Sequence, residues 1–316
     1  MSSLGKTIAF FNKKTVVGQP INSRICAFYK YFMNEGFSEN QVRPDYVFFS
    51  MPPFRNISIF FKYSGRVILD IRDGWSIAQA KGYGGIVRKR PVKSWFVRRL
   101  ERFMIRRSYL TITCTPGLRS YLEDISGRKV LLVPNGISEE RLELICSLRN
   151  KTPEKPKADD SLVFACAGKF SEYGIDKVKR LLGVIVSRYK NNKLKVKLIG
   201  SDPESNAWVA DFFCELSQGR GEVEILPRMD DVELFKSMLY IDFGIALLRD
   251  PGYEFGTKVY DYIALGIPII NYFSVPNEFT DYFDACLDVP FGRNLVRPEI
   301  KRGVLISKGL ESANFP

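Results

Sequence analysis

The stretch "EFGTKVYDYIALGIPII", residues 254–270, decides how the chain is read. Its second half has the composition of buried structure: Ile263, Ala264 and Leu265, then Gly266, then Pro268, Ile269 and Ile270. Its first half crowds Glu254, Gly256, Thr257, Lys258 and Asp261 into eight residues. The order is charged loop, helix, apolar strand. In parallel α/β sheets, ligands meet the loops at the carboxyl ends of the strands. The charged half therefore lies on the side where such a sheet works.

Outward from that stretch, short β-rich runs alternate with helix-length segments. In the first half the expected strands are 7–11, 45–50, 66–71, 110–114 and 130–134; in the second half they are 162–168, 195–200, 223–227, 242–248 and 268–273. Helices are expected near 22–34, 92–107, 116–125, 175–190, 204–218, 230–238 and 257–265. Near-continuous apolar strands separated by helices indicate parallel sheets covered on both faces. "RNKTPEKPKADDS" (149–161), with two prolines and few apolar residues, reads as a linker. The expected architecture is α/β with two parallel-sheet domains, 1–150 and 151–316, facing a central cleft.

Within the opening stretch, Thr257 is the expected N-cap of a helix and shares a face with Asp261. A carboxylate there can accept two hydrogen bonds from a diol such as a ribose. Lys258 and the N–H groups of the first turn suit phosphate. Gly256 lets a ligand approach the backbone. The helix dipole alone accounts for an acid at this place, worth about 0.3–1 kcal/mol, but not for a lysine in the first turn. Two other loops follow strands. Gly168, Lys169 and Ser171 form the turn after 162–168, and Arg228 follows 223–227. A plain turn with a solvated lysine explains the first at least as well, and for Arg228 an ordinary surface arginine is the favoured reading over one that stacks on a base or sugar. In the first half, Gly18 and Arg24 follow the first strand, where close approach to a ligand and an ordinary turn are equally good readings.

Composition bounds the alternatives. Of 316 residues, 45% are hydrophobic and 26% charged, ordinary for a globular chain long enough for two domains. No run approaches the ~20 apolar residues of a membrane span, and Thr7–Phe11 is too short for a signal peptide, so a cytoplasmic location is expected. Six scattered cysteines without a CxxC, and no histidine, argue against structural zinc and for reduced thiols. The net charge of +12 is uneven: residues 1–150 carry 25 Lys+Arg against 11 Asp+Glu, whereas the remainder carry 22 against 24. The first half is thus expected to face something anionic.

"GTKVYDYIALGIPII" resembles the carboxyl-side motif of retaining GT-B glycosyltransferases, especially bacterial surface-polysaccharide (capsule or O-antigen type) members. "KVLLVPNGI" (129–137), "AGKFSEYGID" (167–176), "EVEILPRMDDVELFKSMLYIDFGIALL" (222–248), "ILDIRDGW" (68–75) and "LERFMIRRSYLTITCTPGLRSYL" (100–122) follow the family's order. The resemblance covers most of residues 66–273. It implies two Rossmann-like domains: an N-terminal acceptor-binding one and a C-terminal one for a nucleotide-sugar donor. On the donor side it assigns Gly18, Gly168, Arg228, Glu254, Phe255, Gly256, Thr257, Lys258 and Asp261. Catalytic roles fall to Lys169 and Lys258 at the diphosphate and, as the best-placed base for an inverting reaction in a chain without histidine, to Asp73; acceptor contacts fall to Arg24, Arg72 and Trp75. The implied reaction is sugar transfer to a lipid-linked or glycan acceptor, with retention and without a metal or other cofactor. The pattern departs from the family where Asp261 replaces the usual Glu and where Glu254 stands one residue off the familiar spacing. The tail after Asp288 lacks an obvious helix that would cross back to the first domain.

"VRKRPVKSWFVRRLERFMIRR" (87–107) holds nine Lys+Arg and one acid. On a helix starting near Pro91, Arg98, Arg99, Arg102 and Arg106 share one flank, beside a face of Val92, Trp95, Phe96, Leu100 and Phe103. A basic amphipathic helix with aromatics reads as a membrane-surface element. Arg88, Lys89, Arg90, Trp95, Phe96, Arg98, Arg99 and Arg102 would face an anionic inner leaflet. An apolar face packed on the sheet, with solvated arginines outside, is the plainer alternative. Two other functions fit the same residues: a nucleotide-sugar epimerase and, ranked lower because no nucleic-acid fold is recognisable, a basic nucleic-acid-binding protein.

Overall fold

A computed structural model describes residues 5–11, 23–51, 56–82, 89–151, 161–284 and 310. The chain divides into two compact units. One takes Met1–Ser138, Gly252–Glu254 and Leu305–Pro316; the other takes Glu139–Pro251 and Phe255–Val304.

The first unit runs β1 (Thr7–Phe11), α1 (Ser23–Asn34), β2 (Ser38–Glu39), β3 (Tyr46–Met51), α2 (Ile59–Lys62), β4 (Val67–Ile71), α3 (Trp75–Lys81), α4 (Pro91–Arg107), β5 (Ser108–Thr113), α5 (Pro116–Ser126) and β6 (Leu131–Leu132). Its six strands pair in parallel in the order β2-β1-β3-β4-β5-β6. The two-residue period of the strands explains why "YVFFSM" is apolar almost throughout. Val47, Phe49 and Met51 join one core with Phe60, Met104 and Leu118, while Phe48 joins the other with Ile8, Phe28 and Ile112.

The second unit runs α6 (Glu139–Lys151), β7 (Ser161–Ala167), α7 (Ile175–Arg188), β8 (Lys193–Ile199), α8 (Pro203–Asn206), α9 (Trp208–Leu216), β9 (Gly221–Leu226), α10 (Asp231–Met238), β10 (Phe243–Ile245), α11 (Lys258–Ala264), β11 (Ile269–Ile270) and α12 (Glu278–Tyr282). Its five strands are also parallel, in the order β11-β10-β7-β8-β9. Both sheets and most helices thus fall where the sequence places them.

Three expectations change, and the face of α4 divides between packed and exposed residues. The first unit ends at Ser138 rather than at residue 150, because α6 packs against α10 and buries Leu142 and Ile145 in the second unit. The chain does return to the first unit: Leu310 is buried in the core that holds Ile8 and Phe28. The helix expected over 204–218 is two, α8 and α9, divided at Ala207. On α4, the buried residues are Val97, Glu101, Met104 and Ile105, with Leu100 and Phe103 partly covered, whereas Val92, Trp95 and Phe96 stay exposed.

Glu101, the single acid of the basic segment, is fully buried. It accepts hydrogen bonds from the Ser76 N–H at 3.1 Å and from the Ser76 hydroxyl, so it satisfies donors at the start of α3. Burial raises its carboxyl above the ordinary value. The Ser76 hydroxyl also lies 2.6 Å from the Tyr121 hydroxyl.

Candidate functional site

The order β11-β10-β7-β8-β9 reverses between β10 and β7. Loops leaving those two strands in opposite directions open a crevice at their carboxyl ends, where such sheets bind ligands. The loop after β7 holds Gly168 and Lys169; the loop after β10 leads through Gly256 and Thr257 into α11. Gly168 has φ +108°, which only glycine adopts readily, and its N–H donates to the Ile199 carbonyl at 2.7 Å. Lys169 and, after β9, Arg228 are exposed. The Ser171 hydroxyl is buried and has no hydrogen-bond partner among the described residues.

Two devices fix the crevice walls. Tyr262 of α11 is fully buried; its hydroxyl accepts from the Ala167 N–H at 3.0 Å and donates to the Ala165 carbonyl at 3.2 Å. Its ring lies over Gly244, where an added Cβ would stand 2.4 Å from the ring. Opposite, Lys177 of α7 donates to the carbonyls of Leu248 and Arg249 at 2.8 and 2.7 Å, which holds the start of the β10–α11 loop. A Cβ on Gly256 would meet only Leu248, at an ordinary 3.5 Å, so internal packing does not demand glycine there.

Two charged residues of the opening stretch meet at Asp261, which is 5% exposed. Lys258 pairs with it at 3.2 Å, one helical turn away. Both Asp261 oxygens also accept from Nη2 of Arg141, at 3.1 Å each. Arg141 comes from α6; its Nη1 pairs with Asp231 of α10, and its guanidinium lies 4.8 Å from the centre of the Phe235 ring. Sequence reasoning missed Arg141. Its partner lies 120 positions away, so no local pattern marks it.

Other expected site residues fall elsewhere. Thr257 precedes α11 but already has helical angles (φ −61°, ψ −27°), and its side chain makes no capping bond. Phe255 is buried against Phe279, Tyr282 and Phe283, so its ring supports the loop rather than facing a ligand. Glu254 is half-buried and clusters with the first unit, as does Tyr253, whose carbonyl accepts from the Thr115 hydroxyl at 2.9 Å.

In the first unit, Arg24 is 3% exposed and fully engaged. It donates to Asp70 at 2.9 and 3.0 Å and to the Val133 carbonyl at 2.7 Å, so it ties strand ends together instead of reaching a ligand. Asp73 is exposed in the turn after β4, with half-buried Arg72 before it and half-buried Trp75 opening α3. Lys89, Arg90, Arg98, Arg99 and Arg102 are exposed, with Arg99 4.1 Å from the Trp95 ring centre. Gly18 and Arg88 lie outside the described residues. The thiols of Cys114 and Cys166 are pushed up to about 12 by burial, so neither is a nucleophile near neutrality. Among the described residues, no helix is long and apolar enough to cross a membrane.

The sequence matches no family model and no curated protein. Solved structures do match in fold. HepE from Anabaena, crystallised with UDP and glucose, is 12% identical over 98% of this chain and 94% of its own, with a TM-score of 0.53. Sucrose-phosphate synthase from Thermosynechococcus elongatus is 14% identical over 84% and 80%, at 0.50. A putative UDP-N-acetylglucosamine 2-epimerase from Listeria monocytogenes is 10% identical over 98% and 94%, also at 0.50. The chain has the two-domain GT-B fold.

Proposed function

We propose that the protein is a nucleotide-sugar-dependent glycosyltransferase whose donor binds at the switch point of the second sheet. The observation that carries this reading is the pairing of a nearly buried carboxylate, Asp261, with Lys258 after β10, with Lys169 exposed at the end of the adjacent strand β7. Asp261 takes the ribose hydroxyls. Lys258 and Lys169 stabilise the charge that develops on the leaving diphosphate, which is where electrostatic catalysis acts. With no histidine in the chain, an inverting reaction needs an acid residue as base, and Asp73 is the best placed. A retaining reaction lets the departing phosphate take the acceptor proton, and we favour retention by family resemblance.

The acceptor side is assigned to the first unit, with Arg72 and Trp75 after β4. The exposed face of α4 is assigned to an anionic membrane surface, where each basic residue adds roughly 1 kcal/mol. That face supports a lipid-linked acceptor in polysaccharide biosynthesis and a peripheral position on the inner face of the membrane. An epimerase is the second reading, favoured by the fold shared with the Listeria protein. Incubation with a panel of UDP-, GDP- and ADP-sugars, with and without lipid-linked acceptors, separates the two. Acceptor-dependent transfer supports the first reading; isomerisation of the sugar nucleotide with no acceptor supports the second. A folded protein that binds none of the panel refutes both.

A further inference from the structure

We infer that Arg141 competes internally for the carboxylate of Asp261 and that a nucleotide's vicinal diol must displace it. The inference rests on the reading of Asp261 as the ribose acceptor. A carboxylate offers about four lone-pair directions. In Asp261 both oxygens accept from Arg141, and Oδ2 also accepts from Lys258. A diol needs one acceptor on each oxygen, and these are the positions that Arg141 fills.

The surroundings of Arg141 make it displaceable. The first unit's Arg24–Asp70 pair shows what a locked pair looks like, with side chains 4% and 0% exposed. Arg141 is 22% exposed and has a second anion in Asp231, itself 48% exposed. Its guanidinium also rests near the Phe235 ring. It can leave Asp261 by rotating toward Asp231 without stranding its charge. Nor does the fold need the Asp261 contact to seat either helix: Tyr262 anchors α11, and buried Leu142 and Ile145 anchor α6. Arg141 thus sets a threshold that only a ligand with two adjacent hydroxyls repays. A nucleotide without them binds beside the intact pair.

The test is calorimetric titration of the full chain with UDP, GDP and ADP and with their 2′,3′-dideoxy analogues. Arg141→Gln is expected to bind the cognate ribonucleotide about two- to fivefold more tightly, the range of a partly exposed ion pair. Its affinity for the dideoxy analogue stays unchanged. Asp231→Asn, at a half-exposed site, removes the fallback partner and is expected to weaken ribonucleotide binding severalfold. Thermal unfolding without nucleotide checks that both variants are folded. If wild type binds a diphosphate and Arg141→Gln weakens or leaves that binding, the competitor role is overturned while the site reading stands. If wild type binds none of the diphosphates, both fall.

Discussion

Replacing Arg24 by Met tests whether that residue is a strut or a ligand contact. Its guanidinium donates to Asp70, whose side chain is 0% exposed, from both Nε and Nη2, and from Nη1 to the carbonyls of Val133 at 2.7 Å and Pro134 at 3.1 Å. The Asp70 carboxylate would keep only the Ser50 hydroxyl, at 2.9 Å, among the bonds described for it. Breaking one partner of a buried pair costs about 3–5 kcal/mol. An unsatisfied Val133 carbonyl adds about 1 kcal/mol or more. Against a total of about 5–15 kcal/mol for a domain, that is a large fraction. Urea unfolding, with hydrogen exchange read at the β4 and β6 amides, locates the loss in the first unit. A second substitution, Asp70→Asn, removes the stranded charge, so the double variant is expected to lose at least about 2 kcal/mol less than the sum of the singles. If Arg24→Met stays within about 1 kcal/mol of wild type and instead loses acceptor binding, the strut argument is refuted.

Gly244→Ala puts a methyl group 2.4 Å from the Tyr262 ring and is expected to cost about 1–3 kcal/mol or more by overpacking; a smaller loss in urea unfolding would mean that α11 shifts freely. Tyr262→Phe leaves the buried Ala167 N–H without its acceptor, for a loss of about 1–3 kcal/mol and weaker nucleotide binding by calorimetry. Because burial raises Glu101 above its ordinary 4.5, its contribution to stability is full below that pH and is lost as pH rises through the folded value. The stability of Glu101→Gln relative to wild type should therefore increase with pH above 4.5, and urea midpoints showing a constant gap from about pH 4 to 8 would contradict this. The double change Trp95→Ala and Phe96→Ala removes side chains that are 50% and 61% exposed, so stability should move by only about 0.5 kcal/mol while co-sedimentation with anionic vesicles falls; unchanged sedimentation would remove α4 from the membrane assignment.

The sheets were legible because parallel strands buried on both faces are apolar throughout, as in "YVFFSM" and "SLVFACA". Lys258 was legible for a different reason: a lysine in the first turn opposes the helix dipole, and the structure pairs it with Asp261 at 3.2 Å. Contacts set by tertiary packing were not. Glu101 looks like one more charge in a basic run, and only its place beneath α3 shows that it caps another helix. The proline-rich linker marked the wrong boundary, since composition reports where chain is polar but not which core Leu142 and Ile145 enter. Phe255 reads as a loop aromatic near a ligand until three rings of the following segment close around it.

Leu310 in the core of the first unit carries a consequence for biogenesis. A ribosome delivers the chain in order, and domains usually fold in the order they emerge. Here the described core of the second unit is encoded by residue 283, whereas the first unit waits for a leucine 27 positions further on. The part made first is therefore completed last. Nascent chains halted before Leu310 should carry a mature second unit beside a first unit still open to protease.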